Sequence, residues 1–211
     1  MSVDPAGQGQ TACQHVPKKG QAICGSNDNR DYGCHAVCCA KGPGFCRRHN
    51  YCRDCLASWA EEWLGLDNVQ TEQNVPSWDR VTEQGTEHAV LDVILPVQGR
   101  TIYVDVSIAE ATSSDPRVQR ARASRMGVAA RDREADKHRR YPGADLVPGV
   151  LEGGGRWGTE LRGFVKAIAP AGERRAAAIN DLRQRLAVAL QRGVAAMLLG
   201  SAGKVQRPWR A

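Results

Sequence analysis

The chain of 211 residues is long enough for one ordinary domain and a small appendage, and its hydrophobic content of 42% is compatible with a folded core. Its formal net charge of +6 suits a polyanionic partner better than an acidic one. No apolar run is long enough to cross a membrane, and the N-terminus lacks the pattern of a signal peptide, so we expect an intracellular protein without a membrane partner.

All eight cysteines lie between Cys13 and Cys55. In a reducing compartment such clustering indicates metal binding rather than disulfides. Residues 1–20 are predicted to be disordered, and residues 21–50 are predicted to be a zinc-binding segment, because this polar stretch cannot build a core unaided. Cys34, Cys38 and Cys46 are substitutes for the favoured zinc ligands, which are Cys24, His35, Cys39 and His49.

A helix is predicted from Asn50 to Leu64, where Gly65 ends it. Cys52 and Cys55 share one stripe of this helix with tryptophans, so we interpret them as small buried residues rather than as a zinc pair. Residues 66–86 are predicted to be a polar connection with a short strand over residues 69–75.

The centre of the chain is a predicted hairpin formed by residues 88–96 and 101–109. If Gln98 and Gly99 form its two-residue loop, counting back along the strands places Asp92 opposite Asp105. Like charges about 5 Å apart on one face are destabilising. Such a pair indicates a hard divalent cation held between the carboxylates, or else an edge hairpin whose aspartates face water.

A long helix is predicted over residues 117–140, and nine cationic side chains make it strongly basic. Such a run is usually a solvated face, but its excess of positive charge also fits an element lying along phosphates. A strand over residues 145–152 follows, then helices over residues 159–170 and 172–199. The candidate nucleic-acid contacts are Arg48, Arg117, Arg120, Arg125, Arg139 and Arg140.

This order of elements predicts an α/β or α+β fold with a small central sheet flanked by helices, preceded by the zinc segment. The domains predicted after the zinc segment are a core over residues 51–170, a C-terminal helix over 171–200 and a basic tail over 201–211. No glycine-rich phosphate loop and no Gly-x-Ser-x-Gly elbow occurs. Asp92 and Asp105 on strands, followed by Lys137 on a helix, are the minimal parts for Mg²⁺- or Mn²⁺-assisted phosphodiester hydrolysis.

The ordered motifs resemble the restriction-like endonuclease domain at the C-terminus of non-LTR retrotransposon proteins. They are Cys24, His35-x3-Cys39, Arg48-His49-Asn50, Asp92, Asp105 and Lys137-x3-Tyr141. The resemblance implies a restriction-endonuclease-like core with a mixed sheet, a zinc knuckle, and nicking of DNA in the nucleus. It also implies a catalytic role for Lys137 and Tyr141, and a reverse transcriptase module with its RNA template as partners.

The chain departs from that pattern at several positions. Leu91 replaces the proline before the first aspartate, and Ser107 stands where the usual lysine would be, so Lys137 must reach the site from its helix. The first cysteine pair is reduced to Cys24, which leaves Cys13 or Cys34 to complete the zinc site. The alternatives are a non-catalytic zinc-dependent nucleic-acid-binding module and a zinc-nucleated protein adaptor.

Overall fold

The structure is a computed structural model that describes residues 12–15, 23–25, 34–110 and 116–202. It divides into two compact units. One unit contains the described residues up to Asn50 together with those from Leu190 onward, and the other contains residues 51–189.

The predicted disordered N-terminus and the basic tail lie largely outside the described residues. For residues 12–15 the prediction of disorder is wrong. The side chains of Cys13 and His15 are 0% and 2% exposed, because they pack inside the first unit.

The described residues form six helices and six strands, with a short 3₁₀ turn over Pro76–Trp78. The helices are α1 (Cys34–Cys38), α2 (Pro43–Leu64), α3 (Pro116–Ser124), α4 (Val128–Arg140), α5 (Thr159–Ile168) and α6 (Arg174–Ser201). The strands are β1 (Gln70–Asn74), β2 (Arg80–Thr82), β3 (Gly85–Glu87), β4 (Val90–Val97), β5 (Arg100–Ala109) and β6 (Leu146–Glu152).

The main sheet has the strand order β1-β4-β5-β6, while β2 and β3 form a separate hairpin. β1 and β5 run antiparallel to β4, and β6 runs parallel to β5. The fold is therefore mixed α/β with a small mixed sheet and helices, as the sequence predicted. Pro148 lies in β6, at the sheet edge where a missing backbone donor is tolerated.

The register of the central hairpin is confirmed, since Val97 pairs with Arg100 and Val93 with Val104. Gln98 and Gly99 form the turn with φ values of 51° and 77°, as a type I′ turn requires. β5 is an interior strand of the sheet, and its polar residues Asp105 and Ser107 are each 4% exposed.

Two predicted boundaries are wrong. The single helix over residues 117–140 is broken between α3 and α4, where Gly127 adopts a φ of 80° that a helix does not allow. α2 begins at Pro43 rather than at Asn50, because proline is favoured in the first helical turn, where its missing N–H costs nothing.

The stripe predicted for α2 is buried. Cys52 and Trp59 are 0% exposed, and Trp59 donates its indole N–H to the carbonyl of Ala178 in α6 at 2.8 Å. Cys55 lies beside the carbonyl of Arg185 at 3.8 Å. Within the described part of the chain, no helix combines the length and the apolar character that a membrane crossing requires.

Candidate functional site

The two central aspartates are buried side by side in the sheet. Asp92 is 8% exposed and Asp105 is 4% exposed, so the alternative in which they face water is wrong. The pairing of β4 with β5 ends at Val93 and Val104, and the next residues on the two strands are these aspartates. Here the Asp92 carboxylate accepts the backbone N–H of Val106 at 2.7 Å. Asp92 thus supplies the β5 backbone with a partner where the ladder stops.

Lys137 of α4 reaches the same place. Its ammonium nitrogen Nζ lies 2.6 Å from Oδ2 of Asp105, and the lysine side chain is only 15% exposed. The carboxyl group of Asp92 is close enough to that of Asp105 to contribute to its raised pKa. The structure therefore brings together the three residues that sequence reasoning proposed for phosphodiester chemistry.

The charges at this site are not balanced. The pKa of Asp105 is raised to about 6, mainly by burial and also by the neighbouring Asp92, while the Lys137 ammonium opposes the shift. Two ionised carboxylates face one ammonium, so the fully ionised cluster carries an excess negative charge in a buried place. A bound cation would favour the ionised form of both carboxyls.

Tyr141, the fourth predicted catalytic residue, lies against this cluster but inside a hydrophobic core. It is 9% exposed and packs with Leu91 and Leu146. Burial raises the pKa of Tyr141, and the charge of Asp105 adds to that shift. Tyr141 therefore packs in a hydrophobic cluster at the end of α4, and its catalytic role stays a prediction.

Sequence reasoning missed two charged residues beside Asp92. Thr71 pairs with Val93 and Gln73 with Leu91, which places Glu72 of β1 level with Asp92 of β4. Glu72 has a φ of 54°, which is rare for a residue other than glycine. Arg53 of α2 forms an ion pair with Glu72 and donates from Nε to Asp54 at 2.8 Å. Burial alone would lower the pKa of Arg53, but the hydrogen bond to Asp54 and the surrounding carboxylates, Asp92 among them, raise it.

These two residues could not be placed from the sequence, because the β2–β3 hairpin separates β1 from β4 and leaves the register of β1 open. The only signal in the sequence was Arg53 itself, an arginine on the polar side of α2, and that helix was predicted from its tryptophans.

A candidate metal centre lies in the other unit. Its four ligand atoms lie within 4.8 Å of one another and belong to Cys13, Cys24, His35 and Cys39. Two backbone hydrogen bonds position Cys13 and Cys24. The N–H of Cys24 donates to the carbonyl of His15, and the N–H of Gly25 donates to the carbonyl of Cys13, each at 2.9 Å. α1 begins beside them and carries His35.

The spacing of these atoms fits a tetrahedral ion. Cys24 Sγ lies 3.3 Å from Nε2 of His35, and the Sγ atoms of Cys13 and Cys39 are 3.9 Å apart. Ligand atoms bound to one zinc are about 3.5–3.8 Å apart. Burial and the neighbouring thiols raise the pKa of Cys39 to about 12, so this thiol becomes a thiolate only when a cation binds it. The cluster could therefore hold a metal such as zinc.

The predicted ligand set needs one correction. Cys24, His35 and Cys39 belong to the group of ligand atoms, but His49 does not, and Cys13 takes the fourth place. The physical reason is that backbone pairing brings Cys13 to Cys24, which sequence spacing alone does not specify.

His15 supports this centre, and the sequence reasoning overlooked it. Its Nε2 lies 2.8 Å from the carbonyl oxygen of Met197, and its ring leaves no room for a side chain at Gly42. Burial lowers the pKa of His15. The segment that carries Cys13 is thereby attached to the last turns of α6.

The predicted nucleic-acid contacts fall into two groups. Arg48 is 1% exposed and packs against Gly193, so its predicted contact with nucleic acid is wrong. Arg140 is also turned inward, since it donates to the carbonyl of Trp78 at 2.9 Å and lies over the ring of Tyr141. The exposed members of the set are Arg117, Arg120, Arg125 and Arg139.

A scan of the chain against protein-family models finds no match, and a search of the curated proteins finds none either. The functional interpretation therefore depends on the geometry of the described residues.

Proposed function

We propose that this chain is a divalent-metal-dependent DNA endonuclease of the restriction-like type, similar to the nuclease domain of non-LTR retrotransposon proteins. The observation that supports the proposal best is the convergence of Asp92, Asp105 and Lys137, with the lysine nitrogen 2.6 Å from Asp105. These residues come from two strands and a helix. Lys137 is far from both aspartates in the sequence, so it is the fold that brings the three side chains together.

The donor set fits a hard divalent cation. Carboxylate oxygens are the ligands that Mg²⁺ and Mn²⁺ take, and the pair is buried with an excess of negative charge. When bound by Asp92 and Asp105, such an ion would neutralise charge on a phosphodiester oxygen and help to activate water.

The side chains themselves would have distinct roles. Asp92 is oriented by the hydrogen bond that its carboxylate accepts from the backbone N–H of Val106. Asp105 would provide the second carboxylate for the cation. The Lys137 ammonium, held by Asp105 in this structure, would stabilise negative charge that develops on the phosphate in the transition state.

The test is nicking of supercoiled plasmid with Mg²⁺ or Mn²⁺. Asp105→Asn and Lys137→Met are each expected to slow nicking by about 10²-fold or more, the range found when one group that stabilises transition-state charge is lost. Lys166→Met is the matched control, because Lys166 is an exposed lysine near the end of another helix. Equal nicking by the wild type and Asp105→Asn would contradict the proposal.

A second candidate is a non-catalytic nucleic-acid-binding module. It is favoured by the exposed arginines of α3, a helix whose nine residues include no acid. DNA binding that weakens steeply with salt, in a protein that does not nick under any divalent cation, would select this candidate. Absence of DNA binding would leave the zinc-nucleated adaptor.

We also propose that the Cys13, Cys24, His35 and Cys39 cluster binds Zn²⁺ as a structural site. Four protein ligands leave no open position for a substrate, which is typical of structural zinc. Its expected stoichiometry is one zinc per chain, measured on protein purified without added metal.

A further inference from the structure

The C-terminal end of α4 is capped by a side chain from outside the helix. The last carbonyl groups of a helix have no partner within it. Nη2 of Arg80 donates to the carbonyl of Arg139 at 2.8 Å and to that of Arg140 at 2.9 Å. A cation at this end of a helix is also favoured by the helix dipole.

Trp78 holds the chain just beyond that end. Its indole Nε1 donates to the carbonyl of Pro142 at 2.9 Å, and its ring packs against that of Tyr141 with centroids 5.6 Å apart. Its own carbonyl accepts Nη1 of Arg140 at 2.9 Å. Arg80 and Trp78, which lie two residues apart in the chain, therefore both donate hydrogen bonds to carbonyl groups at or just beyond the end of α4.

This end of α4 carries Lys137. The carbonyl of Lys137 accepts the N–H of Tyr141 at 2.8 Å, and its ammonium nitrogen lies 2.6 Å from Asp105. A helix moves as a stiff rod, and one residue of axial slip displaces it by about 1.5 Å. Such a slip would lengthen the contact between the ammonium and the carboxylate or strain the lysine side chain that makes it.

We propose that Arg80 is a positioning residue, whose hydrogen bonds to the last carbonyls of α4 fix the axial position of the helix and so keep the Lys137 ammonium at the carboxylates. The catalytic consequence rests on the proposed endonuclease function, whereas the placement of Lys137 does not. Arg80 is exposed, so replacing it leaves the hydrophobic core intact.

The test compares Arg80→Met, which removes the donors, with Arg80→Lys, which keeps a cationic donor. Arg175→Met is the matched control, because Arg175 is an exposed arginine that donates to the carbonyl of Lys166 near the end of α5. The first readout is acetylation of Lys137 by an amine-reactive reagent in DNA-free protein, measured by peptide mass spectrometry relative to exposed Lys41. The second is plasmid nicking with Mg²⁺.

For Arg80→Met we expect acetylation of Lys137 to rise about fivefold, because the ion pair that shields the amine opens more often. We expect kcat for nicking to fall about tenfold or more with KM little changed, since displacement of about 1 Å at a reacting group is costly. Arg80→Lys should restore both values to near those of the wild type, and Arg175→Met should change neither.

Unchanged acetylation of Lys137 in Arg80→Met would overturn the inference. If nicking by that variant is slower all the same, Arg80 acts elsewhere. If the wild type does not nick DNA, the endonuclease proposal fails, and the acetylation rates still decide whether Arg80 positions Lys137.

Discussion

Because Asp105 is buried, we predict that replacing this charged residue of the sheet stabilises the metal-free protein. The perturbation is Asp105→Asn, which keeps the shape of the side chain and removes its ionisation. Burial and Asp92 raise the pKa of Asp105 to about 6 in the folded state. An aspartate in an unfolded chain has a pKa of about 3.9.

The sign follows from proton binding. Between these two pKa values the folded state holds the proton of Asp105 more tightly than the unfolded state does, so stability falls as pH rises. The cost is absent below about pH 4 and is complete above about pH 6. Two pKa units correspond to about 3 kcal/mol, or roughly 6–12 °C in Tm for a chain of this size.

The assay is urea and thermal unfolding at pH 4.5 and pH 7.5, with stoichiometric zinc and no other divalent cation. Asp105→Asn should be the more stable protein at pH 7.5, and the advantage should shrink at pH 4.5. In the difference between the unfolding free energies of the two proteins, the contributions of other groups that titrate in this range cancel. One such group is Glu134, whose pKa is raised by burial. Asp145→Asn is the control, because Asp145 forms an exposed ion pair with Arg100 that is worth little.

Added Mg²⁺ extends the test. It should raise the Tm of the wild type at pH 7.5, by binding the folded state alone, and should leave Asp105→Asn unchanged. A variant that is less stable than the wild type at pH 7.5 would refute the reasoning, because the attraction of Lys137 would then exceed the cost of burial.

The remaining predictions concern the metal centre and two glycines. Cys13→Ser should lower zinc affinity at least about 100-fold, since even the loss of an outer-shell partner costs about 10–100-fold; zinc competition with a chelator measures this, and Cys46→Ser, an exposed cysteine outside the cluster, should behave as the wild type. Gly193→Ala should destabilise the protein by about 1–3 kcal/mol, because the new methyl would lie 2.3 Å from Cγ of Arg48. Gly163→Ala, where a methyl meets nothing within 4 Å, should stabilise α5 by about 0.5–1 kcal/mol in urea unfolding; equal effects of the two glycine variants would contradict the packing argument.

Local rules were sufficient to predict that Asp92 and Asp105 lie side by side. A two-residue turn fixes the register of a hairpin, so Gln98 and Gly99 determined which residues face each other on β4 and β5. The period of α2 likewise predicted that Cys52 and Trp59 are buried, because a stripe of apolar residues has to pack.

Features that depend on long-range packing could not be predicted. Cys13 joins the metal centre through backbone pairing with the segment around Cys24, and sequence spacing does not specify that pairing. Arg48 was predicted to contact nucleic acid, but the close approach of Gly193 buries its stem. The break at Gly127 was missed because an isolated glycine is compatible with a helix.

That break is what allows an ammonium to reach the site from outside β5. Ser107, two residues after Asp105, has no charge to supply, so the cation has to come from another element. α4 begins after Gly127. Its residues Ala129 and Ala130 pack against Ala109 of β5, the strand that carries Asp105, and against Val150 of β6.

The carboxylate of Glu152 accepts the N–H of Ala130 at 3.2 Å, which fixes the first turn of α4 to β6. Arg80 fixes the last turn. The hydrogen bonds from Ala130 to Glu152 and from Arg80 to Arg139 restrain axial movement of α4, and Lys137 lies between them. The lysine is therefore positioned by the helix as a whole, which explains how a residue outside the sheet can complete a site built on neighbouring strands.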